Sequence, residues 1–179
     1  DISVHIHLAL AAMKTGRPVK MAYSREESMI TQSKRHPINI KLKTGVKNNG
    51  KLTAVQVEIV GDTGAYASSG PAVIHKGLFH CTGPYNVENI EGKSYTVYTN
   101  NTYGGAMRGF GALQMAFAYD SQMDIMAHKL DIDPLEFRYM NAYERGSKTP
   151  NGQILNKSVN VKETLEEARD MMKDREGQK

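Results

Sequence analysis

The stretch PINIKLKTGVKNNGKLTAVQVEIV, residues 37–60, decides the fold because it is the clearest β-hairpin in the sequence. From residue 38 apolar residues alternate with polar ones, and the alternation resumes at Val55, Val57 and Ile59 after the turn sequence KNNGK. A period of two is typical of strands that bury one face. The stretch therefore predicts two antiparallel strands joined by a tight turn.

Helical patterns surround this hairpin. Residues 2–14 carry apolar positions at helical spacing before Gly16, and residues 112–130 form the longest such pattern. Residues 161–173 are amphipathic. Spacings of three and four residues, ended by a glycine or by a charged tail, predict a helix in each range.

Shorter elements are marked by capping sequences and by alternation. Ser24 with Glu27, and Asp133 with Glu136, have the spacing of a capping box and predict two helix starts. The sequence GKSYTVYT, residues 92–99, predicts a strand, and RPVKMAYS, residues 17–24, predicts a short one.

Strands group before helices in this order rather than alternating strictly with them. This predicts an α+β fold, a twisted and mostly antiparallel sheet with helices packed on one side as a two-layer sandwich. We expect residues 1–172 to form part of one domain of a larger subunit, because the sequence begins in mid-pattern without an initiator methionine. Residues 173–179 are expected to form a frayed, charged tail.

Composition excludes several classes of protein. The chain has 179 residues, 40% hydrophobic and 23% charged, which is a globular balance. No apolar run approaches the length of about 18 residues that a membrane span needs. The net charge of +4 comes from charges of alternating sign, so we expect no nucleic-acid partner. The single cysteine, Cys81, excludes a cysteine-based zinc or iron–sulfur site within the chain, and it favours a cytoplasmic location.

The sequence GGAMRGFG, residues 104–111, is the strongest candidate for a functional loop, and we call it the glycine loop. It precedes the predicted helix 112–130, so it resembles a generic anion site at a helix N-terminus. It matches neither the dinucleotide fingerprint nor the P-loop. A tight structural turn and a ligand-binding loop both remain open. Arg108 fits a phosphate ligand or a carbonyl cap, and Phe110 fits a stacking platform or a core residue.

Other candidate residues are weaker. The histidines are interpreted as structural, and Asp62 is interpreted as a turn-former that accepts a hydrogen bond from its own backbone. Lys76 is unusual, since it is a cation within the apolar stretch AVIHKGLFH; it either extends to the surface or faces a cleft.

Several segments in one order resemble the molybdenum-cofactor-binding subunit of the xanthine dehydrogenase/aldehyde oxidase family of molybdenum hydroxylases. They include SREESMITQSKRHP, DTGAYA, LFHCTGPYNVENIEG, TPNGQ and YGGAMRGFGALQMAFAYDSQMDIMAHKLDIDPLEFRYMNAY. The resemblance covers residues 6–168 and implies that 1–172 is a partial molybdopterin-binding domain. It implies a molybdopterin cofactor with molybdenum, in a cytosine dinucleotide form, and [2Fe–2S] clusters and FAD in other domains or subunits. Members hydroxylate N-heteroaromatic or aldehyde substrates with oxygen derived from water.

The resemblance also assigns roles to single residues. Met107, Arg108 and Gly109 fall on the wall against the cofactor, with the Arg108 backbone facing the metal. Gly109 and Gly111 are expected to permit this approach. Phe110 falls on the aromatic residue that stacks on a planar substrate.

Lys76 falls where purine-oxidising members have an arginine that pairs with a substrate oxygen. Lysine keeps the charge but loses the planar fork, which puts purine specificity in doubt. Leu113 replaces a proline common in the family.

The remaining parts of the family site have no counterpart in these 179 residues. The segment GGFGGK, the substrate-contacting glutamate and the general-base glutamate belong to the family but are not found here, so no catalytic residue is assigned. We therefore expect an inactive fragment whose partners are the rest of the molybdenum subunit and the iron–sulfur and FAD components. The alternatives are a non-redox nucleotide-binding module and a structural scaffold that uses the glycine loop as a turn.

Overall fold

A computed structural model describes residues 2–176 of the chain. Within this range the helices and strands follow in the order α1 (Ile2–Thr15), α2 (Arg25–Thr31), β1 (Ile38–Val46), β2 (Leu52–Gly64), α3 (Gly70–Phe79), β3 (Asn89–Tyr98), α4 (Ala112–Leu130), α5 (Pro134–Asn141) and α6 (Val161–Glu176). No helix in the described range is long and apolar enough to cross a membrane.

The predicted hairpin is confirmed. Strands β1 and β2 pair antiparallel, with Ile40 opposite Ile59 and Leu42 opposite Val57, so the alternating apolar residues of both strands share one face. The turn closes through the amide of Gly50, which donates to the carbonyl of Lys47 at 2.8 Å. Gly50 has a φ of 84°, in the left-handed region that favours glycine.

The third strand makes the sheet mixed. Strand β3 lies parallel to β2, with Gly92 beside Val57, so the strand order is β1-β2-β3 with one antiparallel and one parallel pairing. Helix α3 lies between β2 and β3 in the chain and returns it to the end where β2 began, which is the connection that parallel neighbours require. The α+β class is confirmed, and the antiparallel part of the sheet is the hairpin.

The core lies on one face of the sheet, where helices α3 and α4 pack. One cluster lies under the C-terminal half of α4 and the other lies under α3 and the start of α4. The buried residues of the first are Leu52, Val55, Tyr85, Val87, Met123, Met126, Ala127 and Phe137. Those of the second are Val57, Ile59, Val73, Ile74, Cys81 and Met115. Helices on one side of a sheet were predicted, and this packing is what places α3 beside the glycine loop.

The predicted helix caps are present, whereas the short strand predicted at residues 17–24 is not. The capping box of Ser24 and Glu27 is present, and Asp133 caps α5 through the amides of Leu135 and Glu136. Residues 17–24 form no strand, because no neighbouring strand pairs with them. Helix α6 continues through Glu176, beyond the start of the expected tail at 173, and residues 177–179 lie outside the described residues.

The predicted first helix forms but leaves its apolar face uncovered. Ile6, Leu10 and Met13 lie at helical spacing on α1 and are 60%, 54% and 82% exposed. Met29 and Ile30 of α2 are exposed as well. The N-terminal helices therefore add little to the core, which is formed by the sheet, α3, α4 and α5.

Candidate functional site

The first two glycines of the loop are packing positions. The amide of Gly104 donates to the Thr63 carbonyl at 3.1 Å, next to the end of β2. A Cβ on Gly104 would lie 2.5 Å from Cδ2 of His36, and one on Gly105 would clash with the Ser33 hydroxyl. Neither position has room for a side chain, because protein atoms already fill the space.

Gly111 is a packing position too, which corrects the expectation that it lets a cofactor approach. It is the N-cap of α4 with a φ of 94°. A Cβ at this position would clash with the carbonyl oxygen of Val73 and lie 3.0 Å from the amide nitrogen of Gly77. The absent side chain therefore lets the start of α4 contact the backbone of α3.

Gly109 is the loop glycine whose nearest neighbour is an exposed side chain rather than backbone or a buried residue. Its φ is 92°, and a Cβ there would meet only the side chain of Leu113, which is itself half exposed. The turn around it is closed by the Phe110 amide, which donates to the Met107 carbonyl at 2.8 Å. Phe110 itself has a φ of 48°, a left-handed conformation that costs a non-glycine residue about 1 kcal/mol.

The middle of the loop presents a row of unsatisfied donors. Within residues 2–176, no acceptor lies in hydrogen-bonding range of the amides of Ala106, Met107, Arg108 and Gly109. The first three of these residues are exposed, with Met107 at 41%. Consecutive free N–H groups on an exposed turn are available to donate to an oxygen-rich or anionic group.

The structure brings Lys76 and Phe110 together, although they are far apart in the sequence. Lys76 lies in the last turn of α3, and its Nζ lies 5.8 Å from the centroid of the Phe110 ring. This is within the range of a cation–π interaction. Phe110 is half-buried and packs one edge against the second core cluster. The core interpretation of Phe110 is therefore partly met, and its stacking role remains a prediction.

A groove beside Lys76 was not predicted from the sequence. It has a volume of about 870 Å³, and α3 forms one wall through residues including His75, Lys76 and Phe79. The segment 149–155 and two tyrosines, Tyr119 and Tyr143, form the other wall. No carboxylate is among the described residues that line it, so Lys76 is its fixed charge. Sequence reasoning missed this groove because its walls come from segments about 70 residues apart in the chain.

The remaining candidates prove structural. Asp62 accepts hydrogen bonds from the Gly64 amide at 2.7 Å and from Thr99 Oγ1 at 2.7 Å, and the bond from Thr99 is the main reason its pKa is lowered. The predicted turn-forming role of Asp62 is thus confirmed. Burial raises the pKa of the Cys81 thiol to about 11, which makes it a poor nucleophile.

The histidines form no joint metal site in the part of the chain that the structure describes. Within residues 2–176, no three His, Cys, Asp or Glu side chains come together as metal ligands. His5 and His7 are exposed, and His36 is 2% exposed.

Comparison with known proteins gives a consistent set of relatives. Residues 1–142 match the family model described as the molybdopterin cofactor-binding domain. The chain is 50% identical over 170 residues to the nicotinate dehydrogenase large molybdopterin subunit of Eubacterium barkeri, covering 95% of this chain and 40% of that protein. It is 45% identical over 141 residues to a probable xanthine dehydrogenase subunit of Bacillus subtilis, covering 79% and 19%.

A solved structure shares the fold. The aldehyde oxidoreductase from Desulfovibrio gigas superposes with a TM-score of 0.82 at 37% identity, covering 91% of this chain and 18% of that chain. The chain thus spans less than half the length of these relatives. The part matched by the family model, residues 1–142, includes the hairpin, α3, the glycine loop and α4.

Proposed function

The chain belongs to the family of molybdopterin cofactor-binding domains, and from this premise we propose that it forms one wall of the active site of a molybdenum hydroxylase. The enzyme would hydroxylate an N-heteroaromatic, purine-like substrate or an aldehyde with oxygen derived from water. The observation that carries the proposal is the position of the free amides of the glycine loop next to the Lys76–Phe110 pair. Because the chain spans 40% of its nicotinate dehydrogenase relative, the complete site needs further segments.

The loop fits an oxygen-rich cofactor. The amides of Met107, Arg108 and Gly109 point at no acceptor among the described residues, and the space above Gly109 lacks a Cβ. These residues would hold molybdopterin, in its cytosine dinucleotide form, with the backbone of Arg108 toward the molybdenum. The bound cofactor supplies transfer of a water-derived oxygen to substrate carbon and accepts two electrons. Backbone amides suit this role, because they are fixed dipoles that need no reorganisation.

Phe110 and Lys76 would bind the substrate. The Phe110 ring offers a planar face for offset stacking of a heteroaromatic ring. Lys76 Nζ lies over that ring, 5.8 Å from its centroid, so a stacked substrate would displace the ammonium group, which would then attract a carboxylate or ring oxygen at the substrate's edge. The names of the relatives cover nicotinate, xanthine and aldehydes, and an anionic or oxo-substituted heteroaromatic uses both residues. A simple aldehyde lacks the planar ring that Phe110 would stack on and the anionic group that Lys76 would bind.

The electrons must leave through other components. The single cysteine of the chain cannot hold an iron–sulfur cluster, so the [2Fe–2S] clusters and FAD would lie in partner domains or subunits. We place the enzyme in the cytoplasm, where a free thiol such as Cys81 stays reduced. Residues 1–172 would form the partial cofactor-binding domain of its molybdenum subunit.

A structural or nucleotide-binding role without redox chemistry is the alternative. It accounts for Gly104, Gly105 and Gly111, whose missing side chains serve packing. A purely structural role leaves the free amides and the pairing of Lys76 with Phe110 without a function, whereas a nucleotide-binding role would use them without molybdenum. Molybdenum and pterin analysis of the complete enzyme distinguishes the two. About one molybdenum per subunit is expected, and a metal-free protein of full length would refute the proposal. The 179-residue chain alone is expected to retain no stoichiometric molybdenum.

Substitution of Lys76 tests the substrate site. In the complete enzyme, Lys76→Ala should lower kcat/KM for carboxylated or oxo-substituted heterocycles by about 10- to 100-fold, the range of a charge-assisted contact. For simple aldehydes, kcat/KM should stay within about threefold of the wild-type value. Lys76→Arg should restore most of the loss, because the charge returns. Lys129→Ala, at an exposed lysine in the last turn of α4, is the matched control. Equal losses with both substrate classes would contradict the pairing role.

A further inference from the structure

A short segment before the hairpin runs alongside the glycine loop. We call residues 33–37, SKRHP, the clamp segment. Lys34 forms a parallel bridge with Gly104, and the Gly105 amide donates to the Lys34 carbonyl at 2.9 Å. The N-terminal end of the loop is therefore bound by backbone to a segment that precedes it by about 70 residues in the chain.

Side chains of the clamp segment fill the space that the first loop glycines leave. The His36 ring occupies the position where Gly104 would carry a Cβ, within 2.6 Å of its Nε2. Ser33 fills the corresponding space at Gly105. A larger residue at either glycine would push the loop away from the clamp segment.

The clamp segment also holds the other end of the loop. Gln114 lies in the first turn of α4, and its Nε2 donates to the carbonyl of His36 at 3.1 Å. His36 therefore contacts the loop at Gly104, before its open stretch, and the first turn of α4, directly after the loop. The free amides of residues 106–109 lie between these two attachments.

The His36 side chain acts as packing. It is 2% exposed, and within residues 2–176 neither ring nitrogen has a hydrogen-bond partner. Burial lowers its pKa, against a smaller opposing effect of the Asp62 carboxylate, so the ring is neutral at pH 7. A neutral, buried ring can brace the loop without a hydrogen bond of its own.

We propose that the clamp segment is a positioning element, in which His36 and its contact with Gln114 set the direction of the free amides of the glycine loop. The proposal rests on the proposed function, since the amides serve the cofactor. The residues of the clamp segment act through the loop that they contact. Their effect is to hold the loop in one conformation before the cofactor binds, which lowers the ordering cost of binding.

The first test removes the hydrogen bond without disturbing the helix. Gln114→Met in the complete subunit should speed amide hydrogen exchange of Gly105 and Phe110 in the cofactor-free protein by about fivefold, the effect of losing one hydrogen bond. Gln122→Met is the matched control, because Gln122 lies on the same helix and makes no side-chain hydrogen bond within residues 2–176. Equal exchange in the two variants would overturn the proposal.

The second test changes the fit between His36 and Gly104. Gly104→Ala and His36→Ala should each reduce molybdenum per subunit, by about threefold or more, because one crowds the contact and the other empties it. The double variant should recover part of this loss, since the new methyl group enters the vacated space. His36→Phe, which keeps a ring, should retain the metal. If the losses of molybdenum in the two single variants simply add in the double variant, the contact between His36 and Gly104 does not position the loop.

Failure of this proposal can be told apart from failure of the proposed function. Hydrogen exchange is measured on the cofactor-free protein and does not depend on molybdenum. If the wild-type enzyme contains no molybdenum, the proposed function fails while the exchange test can still succeed. If the wild-type enzyme contains molybdenum and Gln114→Met changes neither exchange nor metal content, only the positioning role fails. If Gln114 is purely structural, Gln114→Met should lower the Tm and leave the metal content unchanged. That outcome would also contradict the positioning role.

Discussion

The glycine loop consists of two parts that look alike in sequence and differ in the structure. At Gly104, Gly105 and Gly111 the missing side chains make room for other parts of the protein, namely His36, Ser33 and the backbone of α3. At Gly109 the space is open apart from one flexible side chain, and the neighbouring amides are free. The first part attaches the loop to the rest of the fold, and the second part exposes backbone amides to solvent.

This difference shows that a glycine-rich sequence does not by itself identify a ligand site. Most of the glycines here are explained by close packing, which any tight turn between a strand and a helix requires. The open part is identified by its free amides and by its neighbours Lys76 and Phe110, not by its glycine content. Substitutions in the two parts should therefore have different effects.

The largest effect is expected at Gly111. Gly111→Ala places a Cβ against the carbonyl of Val73 at a φ of 94°, so both the backbone of α3 and the start of α4 must move. We expect a loss of about 3 kcal/mol or more in the free energy of unfolding, measured by chemical denaturation. A loss below about 1 kcal/mol would show that α3 and α4 are not packed as described.

A smaller loss is expected at Gly109. Gly109→Ala has the same unfavourable φ, but the new methyl group meets only Leu113, which is 51% exposed and can move. The expected loss of unfolding free energy is about 1–2 kcal/mol, mainly from backbone strain. In the complete enzyme, the amount of molybdenum per folded protein should fall more in Gly109→Ala than in Gly111→Ala, the reverse of the order for stability. If Gly109→Ala folds well and binds molybdenum normally, the open part of the loop does not face the cofactor.

Phe110 tests the open part through the substrate. Phe110→Leu keeps an apolar side chain at the edge of the core and removes the stacking face, so KM for planar heterocycles should rise by about fivefold. Phe117→Leu is the matched control, since Phe117 lies on α4 and is 79% exposed. The same rise in both variants would argue against stacking at Phe110.

The smallest effect is a pH dependence in the packed part. Burial lowers the pKa of folded His36, so below its ordinary value of about 6.5 the unfolded chain takes up a proton that the folded chain does not. Stability should therefore fall as the pH falls below about 6.5, by at most about 1.4 kcal/mol per pH unit. His36→Phe should flatten this dependence between pH 7 and 5.5, whereas His128→Phe at an exposed position should not. An unchanged slope in His36→Phe would show that folding does not lower the pKa of His36.

Much of the fold was predictable because its signals are local. The alternation around Ile40 and Ile59 predicted the hairpin, and the helical spacing of residues 112–130 predicted α4 with its observed bounds. Capping by Ser24 and Asp133 was predicted from side chains that act within three residues. The parallel pairing of β3 was not predictable, since strand direction depends on where α3 returns the chain.

The family resemblance was predictable from order and motif, and the relatives confirm it. The roles of Met107, Arg108, Gly109, Lys76 and Phe110 remain predictions that the substitutions above test. The groove beside α3 and the clamp segment could not be predicted, because each depends on contacts between segments about 70 residues apart.

The sequence by itself determined the α+β class, the hairpin, the helix starts and the membership of a molybdopterin-binding family. These follow from periodicity, capping and motif order, which act over a few residues or are read directly from the chain. Only the tertiary structure decided which glycines are filled by protein and which face solvent. It also decided that Lys76 lies over Phe110 and that His36 contacts both the start of the loop and the helix that follows it. These facts depend on how helices pack on the sheet, and packing is a property of distant residues in contact.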